Sequence, residues 1–488
     1  MPGYAATTMF ARSGEEFAGM QEWLGSPAAA GLDHGELEEE LTARGRELQR
    51  LLLQDHLDAR AAREQRREQA TGPDQVARTR AERGHARALA TVFGPVVVSR
   101  IAYRAPGAAN VHPADAQLNL PPGRHSHGLA RMAVSAVVGG SFGQACAQVR
   151  ARTGSKLGKR QCEQLIRAAA ADFAGFYAAR RPAGAAPGDV LALSCDGKGI
   201  VVLPGQLRYR AAHAARKAVP KQDGRLSRGE VRNRKRMAEI GAVFDLAPVP
   251  RTTGQILDPG PGPRPAAPRA AGKWITASIA GDTATVVASV FAEAGRRDPA
   301  HQRTWIALAD GNTHQLTRIT AEAAARGITL TIICDFIHVL EYLWTAAWCL
   351  FPEASPHAGP WVRTRAAAVL DGRATEVAAA IRTEAAAPAL TAAQRKTAAR
   401  TAGYLEAKAP YLDYPRALAA GWPISSGVIE GTCRYLVNDR MDITGARWTV
   451  PTAEAVLQLR ALHANGDLDA YWTYHLHQEH RRTYRLAA

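Results

Sequence analysis

Trp305-Ile306-Ala307-Leu308-Ala309-Asp310-Gly311 decides the fold class. Five small or apolar residues run without a polar break and stop at Asp-Gly, the pattern of a strand buried on both faces. Residues 312–326 then carry helical spacing, and Ile328–Ile333 is a second apolar run. Strand, helix and strand in that succession fit part of a mixed sheet covered by helices. Upstream, Val190-Leu191-Ala192-Leu193-Ser194 is a matching run that leads into Cys195-Asp196-Gly197. Ile200–Leu203 reads as its hairpin partner, Ala238–Leu246 as a third strand, and Thr283–Ala294 as a helix. Five strands, the first three adjacent in the chain, predict an α/β fold with a mixed sheet covered by helices.

Outward from this core the pattern changes. No strand candidate appears from Val339 to Ala420, where Ala-rich segments are broken by Pro352, Pro356, Pro360, Pro388, Pro410 and Pro415. That predicts a helical insertion. On the N-terminal side, residues 1–35 are weakly patterned. Residues 35–68 are charged, with Leu37, Leu41, Leu48, Leu51, Leu52 and Leu57 near helical spacing. They suit a self-association arm or, equally, a helix packed on its own domain. Thr91–Tyr103 reads as a strand or hairpin. Leu129–Val138, Gly139-Gly140 and Ser141–Thr153, then a second helix near Lys159–Ala170, read as two short helices around a Gly-containing turn, a helix-turn-helix-like pair. Lys156, Lys159, Arg160 and Arg167 make the last of them basic, as a groove-reading helix would be. Packed helices without DNA contact fit the same pattern. Pro182–Gly188 is a linker, Gln206–Arg236 a basic loop, and Gly260–Arg269, with four prolines, a flexible excursion.

These segments give an expected division: a helical region at 1–90 and a DNA-binding region at 91–181. The catalytic core's first part falls at 189–338, the helical insertion at 339–420, and the core's final part with C-terminal helices at 421–488.

Lys and Arg number 61 against 45 Asp and Glu, a net charge of +16. That favours a polyanionic partner, most often nucleic acid, although an Arg- and Ala-rich composition produces part of it. The six cysteines are scattered without a Cys-x-x-Cys pair. A zinc ribbon and a disulfide framework are therefore not expected. There is no secretory leader pattern and no apolar run of spanning length, so the expected place is the cytoplasm.

The chemistry-bearing residues are few. Asp196 and Asp310 each follow an apolar strand, and Glu430 stands in Ser425-Ser426-Gly427-Val428-Ile429-Glu430-Gly431, a loop feeding a helix. Two aspartates at strand ends and a late helical glutamate match what divalent-metal phosphoryl transfer needs, because Mg²⁺ prefers carboxylate oxygens. A single Asp-Gly is more often a plain turn, and Glu430 also suits a helix's first turn. Asp335 and His338 are three apart and share a helix face, either near the site or as an N-cap with a half-buried histidine. Asp335 competes with Asp310 for the second carboxylate role. Arg434, Tyr435, Asn438, Arg440, Arg447 and Trp448 surround Glu430 in sequence, a mixture of cations and aromatics that suits nucleic acid as well as it suits a solvated face. The tail His475, His477, His480, Arg481 and Arg482 reads as exposed.

Taken together, Asp196-Gly197-Lys198, Asp310-Gly311, Asp335-x-x-His338 and Ser426-Gly427-x-x-Glu430-Gly431, followed by Asn438-Asp439-Arg440-Met441, resemble the DDE transposases of bacterial insertion sequences. The resemblance is to the ISKra group, related to the Mutator-like transposases, and runs from about Phe93 to Trp448. It implies an RNase H-like core interrupted by an all-helical insertion. It also implies that Asp196, Asp310 and Glu430 hold two Mg²⁺ or Mn²⁺ ions, with Asp335 and His338 as accessories. Lys198, Lys156, Lys159, Arg160, Arg434, Arg440, Arg447 and Trp448 would face DNA. The partners would be the element's terminal repeats and target DNA. The enzyme would be a homo-oligomer, at least a dimer on DNA, at the bacterial nucleoid. The excursions at 206–236 and 250–270 are longer than the family pattern. Two other classes fit less of the sequence: a non-enzymatic DNA-binding regulator built on 128–170 (or a decayed copy of such a transposase), and a hydrolase using Asp196 and Asp310 as a carboxylate pair.

Overall fold

The computed structural model describes residues 9–182, 184, 186, 188–217, 234–258, 267–387, 390–443 and 445–484. The bulk of the expected basic loop, at 218–233, and of the Pro-rich excursion, at 259–266, lies outside them. The chain divides into two compact units, residues 1–179 with 466–488, and residues 180–465.

In the first unit, α1 (Ala11–Leu24) precedes the thirty-residue α2 (His34–Arg63). The start of α2 is fixed by a capping box, in which the Asp33 carboxylate accepts from Glu36 N and Glu36 accepts from Asp33 N. Helix does not continue to residue 90, as expected; strand β1 (Arg80–Thr91) pairs antiparallel with β2 (Gly94–Arg104). Arg, Ala and Gly in β1 hide the strand signal, and pairing with the Val-rich β2 supplies what local propensity lacks. Gln54 of α2 extends the β2 edge, accepting from Val97 N (2.7 Å) and donating to Val97 O (2.9 Å). Leu57, Leu89, Val96, Val98 and Leu120 form the core beneath.

Three helices follow where two were expected: α3 (His127–Gly139), α4 (Phe142–Thr153) and α5 (Lys159–Ala169), with the break at Gly140-Ser141 set by the Ser141 capping box. Lys156, Lys159, Arg160 and Arg167 are exposed. The C-terminal helix Leu468–Tyr484 belongs to this unit rather than to the core's final part. His475, expected at the surface, is buried with its Nδ1 2.7 Å from Asp172 Oδ2, and Arg482 pairs with the same carboxylate.

The second unit is built on a five-stranded mixed sheet: β3 (Val190–Val201), β4 (Lys235–Leu246), β5 (Ala270–Ser278), β6 (Trp305–Ala309) and β7 (Leu330–Cys334). Their spatial order is β5-β4-β3-β6-β7, with β3–β4 and β4–β5 antiparallel and β3–β6 and β6–β7 parallel. Two expectations fail here. The run at 190–194 and its supposed hairpin partner at 200–203 are one strand, and the expected strand count is met instead by β5. β3 holds together across Gly197-Lys198-Gly199 because β4 pairs with all twelve of its residues.

α6 (Thr283–Arg297) covers one face, and Gly241 of β4 lets it lie close. A Cβ at Gly241 would stand 2.3 Å from Val290 Cγ2. α7 (Thr313–Ala325) makes the crossover from β6 to β7. The expected helical insertion consists of α8 (Phe336–Leu350), α9 (Ala358–Leu370), α10 (Ala374–Ala385) and α11 (Ala392–Lys408), with no strand among its described residues. Tyr342 and Tyr404 stack at 3.9 Å to fasten α8 to α11. The chain returns through α12 (Gly427–Cys433) and α13 (Val450–Ala464). No helix among the described residues is long and apolar enough to cross a membrane.

Candidate metal centre

The parallel half of the sheet sets the site. Ser194 pairs with Leu308, and Leu308 pairs with Ile333. Two residues beyond each of these stand Asp196, Asp310 and Asp335. Three aspartates therefore stand at the same offset from one register row of neighbouring strands, whose spacing is about 4.8 Å per step where they pair. Asp310 and Asp335 follow the ends of β6 and β7. Asp196 lies within β3, which runs on beyond its pairing with β6.

α12 crosses this row. Its N-cap residue Ser426 donates from its backbone N to Asp335 Oδ2 at 2.7 Å, and its hydroxyl bonds the same oxygen. At the other end Cys433 Sγ lies 3.2 Å from Asp196 Oδ2. Burial, and next the charge of Asp196, push the Cys433 thiol above its ordinary range, so it stays protonated and donates. Seven helical residues span about 10 Å and two strand steps also about 10 Å, so the helix fits from the third aspartate to the first. Glu430 sits between these anchors and is exposed, with Oε1 3.3 Å from Ser426 Oγ.

The tightest grouping is not the expected one. Ligand atoms of Asp335, His338 and Glu430 lie within 4.8 Å of one another. Among the described residues, neither Asp196 nor Asp310 belongs to a group of three that tight. Asp335, however, is fully buried and occupied: Oδ1 accepts from Ile337 N at 2.6 Å, and Oδ2 takes both donors of Ser426. It is the N-cap of α8, one of the two roles its spacing allowed, and it ties α8 to the loop before α12. His338 is half-buried with Nδ1 3.0 Å from Glu341 Oε2, a contact that orients the ring.

Asp310 is half-exposed. Its Oδ1 accepts from Asn312 N at 2.7 Å, and its backbone O lies 3.4 Å from Tyr404 Oη. Asp196 accepts from Gly197 N at 2.6 Å. Both carboxylates keep lone pairs for a further partner. Such hard oxygen donors, on partly solvated groups, suit Mg²⁺ or Mn²⁺.

The residues expected to face DNA divide into two sets. Lys198 is half-exposed, and Arg434 and Arg447 are exposed. Arg440 and Trp448 are not: they are 4% and 5% exposed, with the Arg440 guanidinium 5.0 Å from the Trp448 ring centre. Burial, then repulsion from Arg460, draws Arg440 down to about 10. Trp448 Nε1 donates to Met441 O, and its backbone bonds Val201 and Leu203, so the pair fixes the loop after α12 to the end of β3. A local mixture of cations and aromatics cannot tell a surface from a packed cation–π contact.

Sequence reading missed three neighbours of the site and one carboxylate on the other face of the sheet. Ser426 and Cys433 lie inside the late motif, but their bonds to Asp335 and Asp196 span 91 and 237 residues. Glu341 lies one turn from His338, a spacing that could have found it. Glu239 pairs across from Gly197, on the face opposite Asp196, and burial raises its carboxyl against a hydrogen bond from Thr283.

A search of family models and of curated protein sequences finds no match to this chain.

Proposed function

We propose that the chain is a DNA transposase of the DDE type, which hydrolyses phosphodiester bonds at the ends of a mobile element and joins the freed 3′-OH to target DNA. The observation that carries the reading is the row Asp196–Asp310–Asp335, crossed by a helix that brings Glu430 to it. The sheet supports an RNase H-like core: its first three strands are antiparallel neighbours and its last two join in parallel. The helical insertion between Asp310 and Glu430 agrees with the resemblance of the motifs.

In this reading Asp196, Asp310 and Glu430 hold two divalent ions. Bound there, the ions supply an activated oxygen nucleophile and neutralise the charge of the crowded phosphorus. Asp335 holds α8 and α12 in register and so positions Glu430. His338, oriented by Glu341, presents Nε2 to a phosphate oxygen or a proton. Lys198, Arg434 and Arg447 contact the DNA backbone, and two copies at least assemble to bring both ends together.

The test is cleavage and strand transfer on DNA carrying the element's own ends, with Mg²⁺ and with excess chelator. Products that appear only with the metal support the reading. Hydrolysis that persists in chelator favours a carboxylate-pair hydrolase, and DNA binding without any cleavage favours a regulator.

A further inference from the structure

Within the first unit, a hollow of about 580 Å³ lies between the end of α2 and the hairpin, and a second of about 600 Å³ between residues 67–73, 110–117 and the end of the C-terminal helix; they share Arg67, Pro113 and Gln117 in their walls. Arg60, Arg63, Arg66 and Arg67 line the first, and Arg67 and Arg87 the second. Arg60, Arg66 and Arg67 are exposed and have no ion-pair partner among the described residues. The acids in the walls are already engaged. Glu64 Oε2 accepts from Ile101 N at 2.8 Å, and Asp115 lies 2.8 Å from Arg100 Nε. His112, in the second wall, is held neutral: burial and the nearby Arg100 lower it to about 4. The amide of Ile101 does not cancel the charge of Glu64, but the first wall sets four arginines against that one carboxylate, so the trough keeps an excess of positive charge.

We propose that this trough binds the sugar–phosphate backbone of duplex DNA. Guanidinium groups match phosphate oxygens with two parallel donors, which an anion-lined path along a duplex repeats. Apart from histidines, Tyr484 is the aromatic residue in the walls, so the surface lacks the stacking platforms that single strands use. Backbone contacts of this kind fix register and strength of binding without reading sequence. The surface is distinct from the basic helix α5 and from the carboxylate row. It rests on the proposed function only in the choice of DNA as the polymer.

The experiment measures binding of the full chain to a labelled mixed-sequence DNA duplex in chelator, across a range of KCl, so that cleavage plays no part. The variants are R60Q/R66Q/R67Q and the charge-keeping R60K/R66K/R67K. The expected result is a log K against log salt slope shallower by about 0.9 for each arginine neutralised. The lysine variant should keep the parent slope. Matching thermal melts of the two variants show that the fold is intact. An unchanged slope in the glutamine variant overturns the proposal, as does an equal loss in the lysine variant. Tighter binding of duplex RNA with the same arginine dependence would assign the trough to RNA instead. Failure of the carboxylate row would appear in cleavage and leave these slopes untouched.

Discussion

Cys433 donates its thiol hydrogen to Asp196, Sγ to Oδ2 at 3.2 Å, so the last turn of the Glu430 helix is fastened to the strand that carries the first aspartate. The bond orients Asp196 and draws α12 across the sheet's parallel edge. Removing it should loosen the carboxylates without unfolding the sheet. A thiol donor is worth at most about 1 kcal/mol. Cys433→Ala is expected to weaken Mn²⁺ binding by about threefold to fivefold, and Cys433→Ser to restore most of it. Titration calorimetry with Mn²⁺ on both variants checks this; equal affinities in parent and alanine variant would remove Cys433 from the account.

Asp335 is expected to act through structure. Both its oxygens accept hydrogen bonds, and it is fully buried. Asp335→Asn turns an amide toward the donors of Ser426 and should cost about 3 kcal/mol. Denaturant unfolding measures the loss. A variant as stable as the parent but unable to bind metal would instead make Asp335 a ligand.

Gly311 follows Asp310 with φ +90°, where a Cβ would lie 2.9 Å from Tyr404 Oη. Gly311→Ala should destabilise by about 2 kcal/mol through backbone strain and contact together. Adding Tyr404→Phe removes the oxygen but not the strain, so rescue should be partial. Complete rescue, read by thermal melting, would place the cost in the contact alone.

His112 and His85 share one hydrogen, Nε2 to Nδ1 at 2.8 Å, and their rings stack. Burial first, and Arg100 next, lower His112 from 6.5 to about 4. The unfolded chain therefore binds the extra proton between these values, and stability should fall as pH drops from about 6.5 toward 4. His112→Phe should flatten that part of the curve. A parent curve with no slope in the window would contradict the assignment.

The parts of the core legible in the sequence were those with uninterrupted apolar runs. β6 matches its expected bounds, since burial on both faces writes itself into composition, and β4 and β7 lie close to theirs. β3 was cut short because Gly197 and Gly199 imitate a turn. In fact they make room for neighbours: a Cβ would meet Met237 Cε at 3.1 Å and Lys235 Cδ at 2.8 Å. β5 was invisible because it carries Gly272 at φ +55° and follows a run of prolines. Of the site, the end of β6 before Asp310 and the late helix were legible, whereas Asp196, expected at a strand end, stands within β3. That Asp335 joins the same row depends on the β6–β7 register, which sequence does not encode locally. The burial of Arg440 against Trp448 was equally hidden.

In the proposed metal site Asp196, Asp310 and Glu430 act together. The most direct test is to count bound Mn²⁺ by electron paramagnetic resonance in the parent and in Asp196→Asn, Asp310→Asn, Glu430→Gln and His338→Gln. The account predicts two ions in the parent, at least one lost in each of the first three variants, and His338→Gln close to the parent. Undiminished binding in Asp196→Asn and Asp310→Asn, with loss in His338→Gln and Glu430→Gln, would place the metal instead in the cluster of Asp335, His338 and Glu430 and contradict the proposed site.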